Sequence, residues 1–95
     1  MRVLVSSVGG PLDAQLRTYA EYRIFSTLAT HGNVAGARVE LRTDNGTVQC
    51  HVRVALDPHG SVQARTSAAH AAAAIDRAAD RLAALMEEQR SAISN

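Results

Sequence analysis

Ninety-five residues with a formal net charge of +1 read as one small domain, and the balance of charge excludes a bulk polycation. Only Tyr19, Tyr22 and Phe25 are aromatic and Trp is absent, so Ala, Val and Leu must fill a modest core. All ten basic residues are Arg, which fits either a bias of the coding sequence or the use of planar, bidentate phosphate contacts.

Arg2 to Ser7 reads as a short strand with Val3 and Val5 on one face. Gly9-Gly10-Pro11 breaks it. Pro11 suits the first turn of a helix, and Asp13 then sits near the positive end of the helix dipole. Leu12, Leu16, Tyr19, Ala20, Ile24 and Leu28 recur at helical spacing to about Thr30, where Gly32-Asn33 ends the helix. Ala37, Val39 and Leu41 alternate with Arg38, Glu40 and Arg42 in a second strand. Asp44-Asn45-Gly46 is a hairpin turn, since Asn-Gly tolerates positive φ. Val48, Cys50, Val52, Val54 and Leu56 alternate in a long third strand. A turn at Asp57-Pro58-His59-Gly60 leads to a short fourth strand carrying Val62, Ala64 and Thr66. A second helix begins near Ser67, with Ile75, Ala78, Ala79, Leu82, Leu85 and Met86 as its buried stripe. Residues 91–95 are polar and are expected to fray.

The order β-α-β-β-β-α predicts an α+β fold. Both helices cover one face of a four-stranded sheet, the arrangement of double-stranded-RNA-binding domains, and the other face meets water. A right-handed crossover through the first helix makes the first two strands parallel if they are neighbours. One domain, residues 1–95, accounts for the whole chain.

With the apolar positions inward, the open face receives Arg2, Leu4, Arg38, Glu40, Arg42, Gln49, His51, Arg53, Gln63 and Arg65. That is five arginines and one histidine against one carboxylate. Such a face suits a phosphate backbone. It lacks the stacking aromatics that hold bases. It also suits a solvated face with cross-strand ion pairs, or a dimer interface. On the second helix Arg77, Arg81 and Arg90 are offset by Asp76, Asp80, Glu87 and Glu88. This reads as a solvated face, or as a basic ridge of Arg77 and Arg81.

Other chemistry finds little support. His31, His51, His59 and His70 are scattered, and no CxxC, HxxxH or HExxH spacing is present, so no metal or cofactor is expected. Cys50 points inward as a core thiol and, being the single cysteine, forms no internal disulfide. No GxSxG or P-loop pattern suggests catalysis. Ser6-Ser7-Val8-Gly9-Gly10 precedes a helix and is either an anion site or a plain loop. No apolar run approaches the ~20 residues that span a bilayer, and no secretory signal opens the chain. A cytoplasmic protein is expected.

Ala73-Ala74-Ile75-Asp76, Asp80-Arg81-Leu82, the Leu16-Arg17 pair and the preceding strand-turn-strand together resemble the ribosome hibernation-promoting factors, or sigma-54 modulation family. The resemblance implies a non-catalytic stress-response regulator of translation. It would bind rRNA of the small ribosomal subunit in the channel used by messenger and transfer RNA. It implies contacts at Arg17, Arg23 and Arg81, with Arg90 near the basic end of the second helix. Arg38, Arg42, Arg53, Arg65 and Arg77 complete the candidate rRNA-binding set.

The chain departs from the family pattern at Ala72, where an aromatic is usual, and at Ser26, where a lysine is common. The hairpin between the second and third strands is also shortened. Glu87-Glu88 replaces a basic cluster, and each lost phosphate contact weakens binding. The chain reads as a short form without the dimerisation domain of the long forms. The alternative is a protein–protein or homodimeric module on the same fold. Leu4, Tyr22, Phe25 and Leu85 would support it if they formed one patch.

Overall fold

The structure, a computed structural model, describes residues 1–94, with side chains described as far as Ser91. Six elements follow in the expected order: β1 (Arg2–Val8), α1 (Ala14–Leu28), β2 (Val34–Asp44), β3 (Thr47–Leu56), β4 (Ser61–Ala68) and α2 (Ala71–Ser94). The sheet order is β1-β2-β3-β4. β1 runs parallel to β2, and β3 is antiparallel to both its neighbours. The parallel pair is what a right-handed crossover through α1 requires.

Period-two alternation decides which side of each strand is buried. Val39, Leu41, Cys50, Val52, Val54, Val62 and Ala64 are all buried on one side. α1 adds Ala20, Ile24 and Leu28, and α2 adds Ala74, Ile75, Ala78, Ala79, Leu82 and Met86. Small residues on α2 let its backbone approach the sheet closely, so a chain with three aromatics still closes a core. Leu85 is only half-buried, at the edge of that core.

The β2–β3 hairpin is closed by Asn45 and Gly46, at φ 51° and 78°, with Asp44 paired to Thr47. Positive φ at both positions makes this the turn whose twist suits a hairpin. The β3–β4 turn contains a cis Asp57–Pro58 bond. Leu56 N–H donates to Gly60 O (3.0 Å) and Asp57 N–H to Asn33 O (2.7 Å), tying this turn to the α1–β2 loop.

Three boundaries differ from the sequence expectation. Pro11 lies before α1, not in its first turn. Asp13 is the cap: its carboxylate accepts from Gln15 N–H at 2.8 Å, so the helix starts at Ala14. Ser67 and Ala68 belong to β4, because they pair with Gln49 and Val48. α2 therefore starts at Ala71, and it continues through Ser94, past Arg90. Of the tail expected to fray, Asn95 lies outside the described residues.

Leu82 is fully buried among residues of both layers. Leu82→Ala should lower stability by about 2–5 kcal/mol, read as a lower urea midpoint with an unchanged slope. A shift of a few tenths of that size would mean that α2 does not anchor the core.

Candidate nucleic-acid interface

The register sets the open face out in rows, each crossing all four strands. The first is Arg2, Gly36, Ala55, Ser61, and the second is Leu4, Arg38, Arg53, Gln63. The third is Ser6, Glu40, His51, Arg65, and the fourth is Val8, Arg42, Gln49, Ser67. The five arginines expected there are all present and exposed. Arg38 stands directly across from Arg53. Two like charges in that position cost stability, since cross-strand neighbours interact directly.

Two shallow concavities lie on this face. One, about 510 Å³, is bordered by Arg42, His51, Arg65, Gln49 and Ser67, with Glu40 among them. His51 Nε2 lies 2.9 Å from Gln63 Oε1. The other, about 330 Å³, lies among Arg2, Leu4, Gly36, Arg38, Arg53 and Ala55. Gly36 and Ala55 contribute only small residues to this recess, and its lining is mainly apolar.

The structure divides the candidate arginines by what already holds them. On α1, Arg23 Nε lies 3.0 Å from Asp76 Oδ1, and its terminal nitrogen 3.9 Å from Asp80. Arg77 donates to Ser67 O at 2.7 Å. Arg42 lies 3.8 Å from Glu40, and Arg90 3.9 Å from Glu87. Arg17, Arg38, Arg53, Arg65 and Arg81 are exposed and make no ion pair among the described residues. Arg2 shares that state, although the sequence reading placed it on the face without counting it as a contact.

Sequence reasoning missed the knot that binds the two helices. Tyr19 Oη donates to Asp76 Oδ1, the same oxygen that Arg23 Nε reaches. The only available signal was that Asp76 and Asp80 are one helical turn apart on α2 and so share a side. The Tyr19 hydroxyl first, and Arg23 second, hold the Asp76 carboxyl below its ordinary value. Donation to that carboxylate raises the Tyr19 phenol above its own.

The remaining candidates resolve simply. Ser7 Oγ donates to Gly10 O at 2.8 Å, so the Ser-Gly-Gly segment closes on itself as a turn. Gly9 has φ +92°, and a Cβ there would stand 3.2 Å from Thr43 O, which explains the glycine. Burial pushes the Cys50 thiol up to about 12, so it stays protonated in the core near neutral pH. Among the described residues no group of three or more His, Cys, Asp or Glu is placed to hold a metal ion. No helix there is long and apolar enough to cross a membrane. Tyr22 and Phe25 are exposed beside Val3, Thr18 and Glu21, whereas Leu4 belongs to the open face. These apolar residues do not form one patch.

Four strands, two helices on one side and an arginine-rich opposite side define a two-layer α+β domain. The chain belongs to the sigma 54 modulation protein / S30EA ribosomal protein family, whose model matches residues 3–93. Its fold is similar to a ribosomal subunit interface protein from Coxiella burnetii (TM-score 0.88, 12% identity, covering 96% of this chain and 99% of that one). It is also similar to the Protein Y N-terminal domain of Thermus thermophilus (TM-score 0.78, 26% identity, covering 90% and 93%). No curated protein sequence matches it.

The Tyr19–Asp76–Arg23 knot gives a pH signature. Asp76 is lowered in the folded state, so its contribution is complete above pH about 4 and is lost as pH falls through the folded value. Tyr19 is raised, so its contribution is complete below pH about 10 and is lost as pH rises further. Asp76→Asn should flatten both limbs of the stability–pH curve measured by urea unfolding, and so should Tyr19→Phe, because the Tyr19 hydroxyl is the first cause of the Asp76 shift; with Arg23 still in place the acid limb flattens less in Tyr19→Phe. Unchanged limbs in both variants would show that the knot does not couple to folding.

Proposed function

We propose that this chain is a non-catalytic hibernation factor that binds rRNA of the small ribosomal subunit. It would fill the channel that messenger and transfer RNA use, and so hold idle ribosomes out of initiation. The setting is the cytoplasm, where ribosomes work. The observation that carries this reading is the open face: five arginines against one carboxylate, on a domain of the S30EA family.

The mechanism is steric and electrostatic. Arginine forks pair with phosphate oxygens in a bidentate manner, and each contact releases counterions condensed on the RNA. The body measures 43 × 20 × 18 Å, so occupancy of a channel excludes other ligands without any bond being made or broken. Arg17, Arg38, Arg53, Arg65 and Arg81 are ready for such contacts. Arg23, Arg42, Arg77 and Arg90 must first loosen existing interactions and contribute less. The acidic pair Glu87 and Glu88 on α2 shifts the weight of binding away from the end of that helix.

Co-sedimentation of the purified protein with ribosomal subunits tests the reading. Stoichiometric recovery with the small subunit is expected at low salt, falling steeply as salt rises. Absence from the small-subunit fraction at low salt would contradict it and leave a protein partner as the better reading.

A further inference from the structure

One unpaired arginine stands on each strand of the open face: Arg2 on β1, Arg38 on β2, Arg53 on β3 and Arg65 on β4. Their rows are consecutive. Arg2 lies in the first, Arg38 and Arg53 face each other in the second, and Arg65 is in the third. The four therefore form a diagonal file across the whole sheet. With strands about 4.8 Å apart and successive rows about 6.8 Å apart, the file is roughly 20 Å long. None of the four makes an ion pair among the described residues, whereas Arg42, off the file, is engaged by Glu40.

We infer that this file is a track for the phosphate backbone of a single RNA strand, read without regard to sequence. The inference rests on the ribosome-binding reading and names the surface and the form of RNA it takes.

Three features of the face point to this ligand. First, Arg38 and Arg53 are opposed like charges, a local conflict that weakens the sheet unless an anion joins them. Such conflicts are expected where function overrides stability. Second, Gly36 and Ala55 put no bulky side chain into the recess that Arg2, Arg38 and Arg53 border, so a backbone can lie close to the sheet there. Third, all three aromatics lie in α1 and none is on the face, so bases have no stacking platform there. The cations stand in single file, which matches one backbone. A duplex presents two backbones across its minor groove and is engaged at several separated sites.

Fluorescence anisotropy with a short labelled oligouridylate tests the track. Neutralising four phosphates gives a slope of about −2.8 for log affinity against log salt, so affinity should fall roughly fifty-fold between about 50 and 200 mM. Arg38→Gln with Arg53→Gln keeps long polar stems over the recess and removes two charges. The slope should drop to about −1.4 and the salt effect to roughly seven-fold. Thermal melting of this variant should be no lower than that of the wild type, since a repulsion has been removed. Tyr22→Ala, at an exposed and uncharged position of α1, should leave oligouridylate affinity within about two-fold.

Failure of the wild type to bind oligouridylate overturns the track, even if the protein sediments with small subunits. So does binding that ignores the Arg38 and Arg53 changes, or a duplex of equal length bound as tightly. Oligouridylate binding with no small-subunit binding leaves the track standing and removes the ribosomal reading.

Discussion

The structure depends on the one-sided burial of its sheet. Val52 and Val54, at the centre of β3, are completely buried in the core, with α2 packed over that strand. Because side chains alternate across a strand, fixing those two inward fixes Arg53 and His51 outward. Pairing then carries the phase to β2 and β4, so Arg38 and Arg65 have no other place to be. A one-residue slip would bury arginines and expose valines. The same hydrophobic constraint that closes the core thus sorts the charges, and the basic face follows from packing.

Sorting also happens among the arginines themselves. Arg23 and Arg77 spend their hydrogen bonds inside the molecule, the first on Asp76 and Asp80 of the facing helix and the second on Ser67 O of β4. They hold the helices to each other and to the sheet edge. The arginines left over lie mainly on the side that no helix covers. A net charge of +1 therefore conceals a polarised molecule, in which most carboxylates sit in turns or on the helices. Overall charge is a poor guide to nucleic-acid binding when the domain keeps its acids on the other side.

Much of this was legible in the residues. Alternation in β2 and β3 named the inward and outward side chains, and Asn45-Gly46 named the hairpin, because both signals are local. Element boundaries were less so. The alanine run from Ala68 onward has no polar–apolar phase, so it could not show where strand gives way to helix. Pairing of Ser67 and Ala68 with β3 decided that, and it is set by the partner strand. At the first helix the capping bond from Asp13 outweighed the preference of Pro11 for a first turn. The arginine file was legible as a face but not as a file. Diagonal order needs the register between strands, and the engagement of Arg23 with Asp76, 53 residues away, needs the packing phase of the two helices.

The central claim is that the uncovered sheet face is the surface that meets RNA. The most direct measurement is a cryo-EM reconstruction of the small ribosomal subunit with this protein bound, at a resolution that orients the domain. The account predicts that Arg2, Arg38, Arg53 and Arg65 lie against rRNA phosphates. A domain seated on its helices, with the sheet arginines facing solvent, would contradict it.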